Sequence, residues 1–545
     1  MTDTLRQATT IVDALQKIRD EALHQGRRIT DGGKAIDDHQ VHAERLAYLA
    51  TEVEAARSLL VYAQGAQEHG EADASEMALG FVAETGQKIL GQVDIHLTDF
   101  GFPEAVLANT LGRTDVKAAM RVGAHESRFR NIGRSVITNR GANNSWLESE
   151  IAAMTRDSVR QFARSEVSSV AERVHRHDEL IPEQIIKQMA ELGFFGMSVP
   201  EEYGGGGMGN LAMIITTEEL STASLGVAGS LITRPEILTK ALLRGGSEAQ
   251  KKKWLPPIAA GDLMVAISVT EPDTGSDVAS VKCKAEPATV GGKPGFVLNG
   301  AKAWCTFAGR ANIIALLART NADSRSGARG LSLFIVEKDV FPGHSFEMRQ
   351  ATSGLLQGNA IPTLGYRGMH SYILNFENYF VPAENLVGEE GGLNKGFYLQ
   401  MTGFAAGRLQ TGGRATGLAQ AALEVTATYA NERKQFGNSL GDFQLTQYKL
   451  GRMATHVAAA RQLTYAAAPA MDKDESAAVT AAMAKLLACD VAVWVTQEGQ
   501  LIHGGWGYGE EYAISRYVVD ALVLPIFEGV KPILELKVIA RTLLA

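Results

Sequence analysis

Cysteine is scarce in these 545 residues: Cys283, Cys305 and Cys489 stand far apart and without CxxC spacing. So few thiols exclude a disulfide framework and a cysteine-ligated zinc site, and they fit a reducing compartment. No other metal ligand set is read from the chain. Excess positive charge is missing too, since the formal net charge is -8, which argues against a nucleic-acid surface. No run approaches the ~18 apolar residues of a membrane span. The opening stretch MTDTLRQATTIVDALQKIRDEAL has acids in its first turns and none of the apolar core of a signal peptide. What is present is ordinary for a globular protein, with 45% hydrophobic and 21% charged residues. The expectation is a cytoplasmic protein of several domains, without nucleic-acid or membrane partners.

Four regions follow from texture. Residues 1–145 read as a helical extension and linker, with Leu15, Ile18 and Leu23 spaced for one face and Leu46, Leu49, Val53, Leu59 and Leu60 for another. The arginines from Arg121 to Arg140, followed by Gly141-Ala142-Asn143-Asn144-Ser145, read as a polar, solvated linker. Ala50-Thr51-Glu52-Val53-Glu54-Ala55-Ala56-Arg57-Ser58-Leu59 echoes Ala454-Thr455-His456-Val457-Ala458-Ala459-Ala460-Arg461-Gln462-Leu463. If the echo is a repeat, the extension is a degenerate copy of the C-terminal helical layer, packed where another subunit would otherwise sit. Residues 146–262 are helical again, at 149–173, 183–192, 211–222 and 247–259. Tyr203-Gly204-Gly205-Gly206-Gly207-Met208-Gly209 formally contains GxGxxG, but Pro200 interrupts the preceding strand and no βαβ alternation follows, so it reads as a turn. Residues 263–390 form a β-domain, with strands predicted at Val265–Thr270, Phe296–Trp304, Ile313–Ala318, Leu331–Val336 and Tyr372–Phe380. From 391 to 545 the chain is helical, at 395–432, 440–468 and 475–502, with a last helix from Ile533 to Leu544.

The chemistry concentrates near the end, in Leu524-Pro525-Ile526-Phe527-Glu528-Gly529-Val530-Lys531-Pro532. Apolar neighbours Leu524, Ile526 and Phe527 are expected to desolvate Glu528 and raise its pKa, as a general base working near neutrality needs. Pro532 suits a helical first turn, where its missing N–H costs nothing. Upstream, in order, stand Val269-Thr270-Glu271-Pro272-Asp273-Thr274-Gly275-Ser276-Asp277, Asn299-Gly300-Ala301-Lys302-Ala303-Trp304-Cys305-Thr306, Glu432-Arg433-Lys434-Gln435-Phe436-Gly437 with Phe443-Gln444, and His503-Gly504-Gly505-Trp506. Singly, Trp304 reads as a core aromatic, Arg433 as a solvated cation and the glycines as a turn.

Together, in this order and with these gaps, they resemble the acyl-CoA dehydrogenase family over about residues 146–545. That resemblance implies a mostly α fold with a central β-domain: a helical domain, a β-barrel-like domain and a four-helix bundle, here with an N-terminal helical extension. It implies FAD as cofactor. Ile267, Val269, Thr270 and Ser276 would line the flavin, with Trp304 and Thr306 covering its ring. Arg433, Phe436 and Gln444 would reach the adenosine diphosphate of a neighbouring subunit's FAD, and Gly504 and Gly505 would let backbone approach the cofactor. Such sharing implies a homo-oligomer, a dimer or a dimer of dimers. Glu528 becomes the base that takes the α-proton of an acyl-CoA while the β-hydrogen leaves as hydride, and its own N–H helps polarise the thioester carbonyl.

Three features narrow the resemblance to members acting on a thioester with a second, free carboxylate: the extension, the ending Pro525–Leu536, and the extended segment Met348–Met369. Electrons would pass to electron-transferring flavoprotein. Ser230, Thr233, Arg234, Arg408, Ser276, Phe527 and Gly529 are the candidate substrate contacts, with Arg234 facing the distal carboxylate. Leu501, Val519-Asp520 and Val530 depart from the usual family pattern and put single flavin contacts in question. A short- or branched-chain dehydrogenase, or an acyl-CoA oxidase, would keep every flavin motif. A DNA-binding flavoprotein of alkylation damage would need a basic face and C-terminal helices that are not seen here.

Overall fold

A computed structural model describes residues 2–474 and 477–545. It divides into two compact units, Met1–Asp157 with Thr411–Ala545, and Ser158–Gln410.

The first unit is helical apart from a two-residue ladder between Lys434–Gln435 and Asn438–Ser439. The Asp3–Ile29 helix starts at Thr2, whose hydroxyl accepts from Leu5 N at 3.4 Å, and it buries Leu5, Ile11, Leu15 and Ile18. The Gln40–Glu68 helix buries Leu46, Leu49, Val53 and Leu59 against Asp3–Ile29, Ala72–Ile95 and the C-terminal Gln444–Lys473 and Ala478–His503 helices. Polar ties run alongside this core. Tyr48 donates to Asp490 at 2.7 Å, while Arg452 at 2.8 Å and His456 at 3.0 Å hold Glu84. The extension therefore shares one core with the C-terminal helices and is not detached from them.

The expected arginine linker is instead a helix, Glu126–Thr138. Phe129, Ile132 and Val136 recur at helical spacing beneath the charges and are buried on the Gln444–Lys473 helix. Arg134 and Arg140 point to solvent; charge density hid a narrow apolar stripe. Glycine makes the crossing close. A Cβ on Gly133 would sit 1.8 Å from Gln447 O, and one on Gly451 would sit 1.8 Å from Phe129 O.

The Ala478–His503 helix is long and apolar enough to cross a membrane by length and composition alone, contrary to the expectation that no such run exists. Two thirds of its most apolar window lies inside the unit, at 67% buried, as in a core helix. The start predicted for it at 475 lies outside the described residues. The last segment is helical from Lys531 to Leu544, with a π-wound middle at Leu534–Ala540 and Pro532 in the first turn.

The second unit combines helices with one mixed sheet. Helices at Glu183–Glu191, Asn210–Ala223 and Glu248–Ala259 lie where periodicity placed them. The 149–173 segment is helical to Arg176, with a π-turn at Ala163–Val167, and Thr233–Gly245 is an additional helix. Ser247 and Gln250 make a reciprocal capping box at the Glu248–Ala259 helix, and the Gln250 amide also donates to Glu384 O and Leu386 O. The glycine run at 204–209 is a turn, with Gly204 and Gly207 at positive φ.

The strands are β1 Val265–Ser268, β2 Lys284–Val290, β3 Lys293–Thr306, β4 Ile313–Arg319, β5 Leu331–Glu337, β6 Ser345–Arg349, β7 Leu355–Ile361 and β8 Ser371–Pro382. Their order is β1-β4-β2-β3-β8-β7-β6, with β5 beside β4. β1 runs parallel to β4, Val265 opposite Ile313. Strands β2, β6 and β7 were not foreseen because they are half-exposed and lack apolar runs; Pro287 sits inside one and Gly358 inside another. Leu238, Leu242, Trp254 and Ile258 pack on Val265, Ile313, Leu333 and Ile335, which joins the helices to the β1-β4-β5 face.

Gly133→Val is expected to force the Glu126–Thr138 helix off its partner and cost about 2–3 kcal/mol, read as a lower denaturant midpoint. An unchanged midpoint would show that the crossing is not tight.

Candidate active site

Glu528 lies on a short loop ahead of the last helix, with φ +54° in the left-handed region and Gly529 at +102°. That backbone is costly for a non-glycine residue, and three groups hold it. Lys485, buried inside the Ala478–His503 helix, donates its ammonium to Phe527 O at 2.6 Å and Gly529 O at 2.5 Å, the carbonyls on either side of Glu528. Lys531 N donates to Pro525 O at 2.9 Å and closes the loop. Arg414, 0% exposed along its side chain, donates to Glu528 Oε1 at 2.9 Å. Its guanidinium also donates to Thr411 Oγ1 at 2.6 Å and lies 4.7 Å from the Phe527 ring centroid, while Thr411 donates to Glu528 Oε2 at 3.3 Å. This corrects the apolar setting foreseen for Glu528. Leu524 is buried, but Ile526 is 59% exposed, and the carboxylate meets a guanidinium and a hydroxyl. Phe527 and Gly529, half-buried, flank it directly.

Elsewhere in this unit Arg433, Phe436 and Gln444 sit together on the exposed turn between the Gly396–Glu432 and Gln444–Lys473 helices. Phe436 is 92% exposed and at φ +54°. Gly504 and Gly505 follow His503 at the end of the Ala478–His503 helix, and no atom lies within 4 Å of a Cβ built on either. His503 Nδ1 donates to Gly499 O at 2.7 Å, whereas its buried Nε2 has no partner among the described residues.

In the second unit the β1 end and the β3 end come together. Ala303 N donates to Thr270 O at 2.8 Å, and Lys302 Nζ donates to Val269 O at 3.0 Å. Lys302, fully buried, also pairs with Glu271 at 2.9 Å. Glu271 in turn accepts from Lys282 N and Cys283 N, each at 2.8 Å. This pair fastens the Val269-Thr270-Glu271 turn to β3. A register shift between Lys302 and Cys305 turns Trp304 outward, 57% exposed at φ +58°, as a β-bulge does; it is not a core aromatic. Thr306 Oγ1 is 2.9 Å from Ser371 Oγ. Ile267 is half-buried and Ser276 exposed.

Ser230, Thr233 and Arg234 form one buried segment at the start of the Thr233–Gly245 helix. Arg234 donates to Ser230 O at 2.9 Å and faces the Tyr366 ring at 6.0 Å, so it is not a helix-surface arginine. Thr233 Oγ1 is buried without a partner among the described residues. Arg408 is half-buried on the Gly396–Glu432 helix.

Each unit carries features that suit an FAD: in the second the exposed Trp304 ring, and in the first the exposed Phe436 ring, the open backbone at Gly504 and Gly505, the His503 Nε2 that has no partner among the described residues, and the Arg433 guanidinium, whose planar fork suits a pyrophosphate. Family models agree. The acyl-CoA dehydrogenase N-terminal domain matches residues 149–262, the middle domain 266–379, and the C-terminal domain both 394–544 and 5–96. The chain belongs to the acyl-CoA dehydrogenase family and is an FAD-dependent oxidoreductase. Among its relatives, the (2S)-methylsuccinyl-CoA dehydrogenase of Cereibacter sphaeroides is 39% identical over 98% of this chain and 96% of its own length. An acyl-CoA dehydrogenase of Bacillus subtilis is 37% identical over 72% of this chain and 97% of its own. Butyryl-CoA dehydrogenase from Megasphaera elsdenii superposes with TM-score 0.64 at 31% identity, covering 72% of this chain and 98% of that one. The second match to the C-terminal domain model extends the echo between Ala50–Leu59 and Ala454–Leu463.

Arg414, Thr411 and Lys485 were not among the expected site residues. A signal was present: each cation stands alone in a small-residue helix, Gly412-Gly413-Arg414-Ala415 and Ala482-Met483-Ala484-Lys485-Leu486, and a buried charge needs a partner. Lys485→Met is expected to cost about 1–3 kcal/mol and to lower turnover at least ~10-fold with flavin retained. Full turnover would mean that the loop holds its own shape.

Proposed function

We propose that the protein oxidises (2S)-methylsuccinyl-CoA to mesaconyl-CoA within the ethylmalonyl-CoA pathway, passing electrons to electron-transferring flavoprotein. The observation that carries the base assignment is the Glu528 carboxylate held on a left-handed backbone by Lys485, Arg414 and Thr411. The substrate rests on the full-length likeness to the Cereibacter enzyme, which runs through the N-terminal extension. A chain in the structure of the electron transferring flavoprotein of Acidaminococcus fermentans, 33% identical with TM-score 0.63, over 71% of this chain and 97% of that one, supports the partner.

In this reading FAD, when bound, supplies the two-electron acceptor for the β-hydrogen. Glu528 takes the α-proton of the thioester, so the electrons of that C–H bond form the new carbon–carbon double bond. A buried ionised carboxylate needs compensation, and Arg414 provides the opposite charge while Thr411 fixes the second oxygen. Glu528 N–H is assigned to the thioester carbonyl, and a donor in that role is worth about 3–4 kcal/mol where it has been removed from other enzymes. Trp304 and Thr306 are assigned to the flavin ring and Arg433, Phe436 and Gln444 to its diphosphate end. Arg234 is assigned to the distal carboxylate, with Ser230 and Thr233 beside it. We assign the extension to the surface where another subunit pair would dock, which makes the assembly a homodimer, and we place the protein in the cytoplasm.

Anaerobic titration of the yellow protein tests the substrate. Methylsuccinyl-CoA is expected to bleach the flavin band, and butyryl- and isobutyryl-CoA are not; bleaching by the monoacids alone would discard the dicarboxylate. Glu528→Gln is expected to keep its flavin and lose turnover ~10²–10⁴-fold, and retained turnover would remove Glu528 as base. Arg234→Ala is expected to raise KM for methylsuccinyl-CoA with little change for butyryl-CoA; an unchanged KM ends its assignment.

A further inference from the structure

Asp178, His344 and His370 come from three separate segments of the second unit: the turn after the Ser168–Arg176 helix, the loop before β6, and the residue before β8. One ligand-capable atom of each lies within 4.8 Å of the other two. His370 is buried, His344 exposed and Asp178 half-buried, and the two imidazole rings face each other at 4.4 Å with a 40° tilt.

The hydrogen bonds of His370 decide what this cluster is for. Its Nδ1 lies 3.2 Å from Gly368 O and its Nε2 lies 3.2 Å from Asp178 Oδ1. A carbonyl only accepts, so Nδ1 carries the ring proton and donates it. In the neutral ring Nε2 then directs a lone pair at a carboxylate oxygen. A second proton on the ring relieves this. A cation between the two atoms relieves it as well. Four-coordinate zinc with bonds of about 2.0–2.1 Å sets neighbouring ligand atoms about 3.3 Å apart, close to the observed separation. An imidazole that donates its other N–H to a backbone carbonyl is also the usual outer-shell arrangement of a metal ligand, because that bond sets tautomer and ring orientation.

We propose that Asp178, His344 and His370 form a binding site for a divalent transition cation of the zinc class. Two imidazole nitrogens and one carboxylate favour such an ion over magnesium or calcium, which prefer all-oxygen shells. The exposed His344 edge leaves a fourth position to water. Arg367 Nε lies 3.4 Å from the same Asp178 oxygen, and it also donates to Thr363 O at 3.2 Å while Nη1 donates to His175 O at 2.9 Å. This arginine orients the carboxylate and tempers the affinity by its charge. The sequence pointed to no metal, since the three ligands lie 26 to 192 residues apart. The site ties together segments next to the flavin-assigned strand: His370 O accepts from Phe307 N at 2.8 Å, and Ser371 touches Thr306. Bound metal thus stiffens the end of β3.

Tag-free, flavin-loaded protein dialysed against micromolar Zn2+ is expected to take up one equivalent per chain and to unfold at higher temperature with zinc than with a chelator. His344→Ala, which alters only an exposed ring, is expected to keep its flavin, bind zinc at least ~10-fold more weakly and lose the thermal shift; His370→Asn is expected to do the same. Stoichiometric uptake lost in both variants with flavin intact supports the site. Equal uptake by variants and parent, or no uptake by the parent, overturns it.

Discussion

The ion pair between Arg414 and Glu528 sets the terms for the rest of the first unit. A carboxylate placed inside a helical core without a counter-charge is unstable by several kcal/mol, so the loop can present Glu528 only where the Gly396–Glu432 helix presents a guanidinium. Lys485 then fixes the backbone by gripping the carbonyls before and after Glu528. The position of Glu528 is thereby inherited from the packing of two long helices, not from the loop's own preferences, since a glutamate does not favour the left-handed region. The N-terminal extension reaches the same assembly: Tyr48 bonds Asp490, and Asp490 pairs with Lys531, three residues beyond Glu528, at 2.7 Å. An element remote in sequence thus braces the loop's far end.

The second unit repeats the device with different residues. Lys302 and Glu271 are buried partners, and between them they satisfy Val269 O and two backbone N–H groups. The turn at Val269-Thr270-Glu271 is thus held by charge buried behind it. The register shift that follows Lys302 leaves Trp304 outward while Lys302 and Cys305 are buried.

Much of this was legible in the residues themselves. The Asp3–Ile29 helix carries apolar periodicity and the long C-terminal helices are rich in alanine and leucine, signals that depend only on neighbours within a few turns. The order of the flavin motifs and the position of Glu528 likewise show without coordinates. Legibility failed where the signal was diluted or non-local. The Glu126–Thr138 helix was read as a linker because arginines crowd around three apolar residues, and β2, β6 and β7 vanished because half-exposed strands have little contrast. The wholly apolar environment foreseen for Glu528 fails for a clear reason: Ile526 is exposed to solvent, and the carboxylate's charged partner lies 114 residues earlier.

The chain by itself determined most of its helical and β regions, its family motifs and the carboxylate proposed as base, since these depend on local pattern and residue type. Only the tertiary structure decided that Glu528 is paired with Arg414 and its loop clamped by Lys485, that the extension shares the core of the C-terminal helices, and that Asp178, His344 and His370 meet. Those facts concern side chains brought together by packing from distant segments, and a buried charge states in sequence only that it needs a partner, not which one.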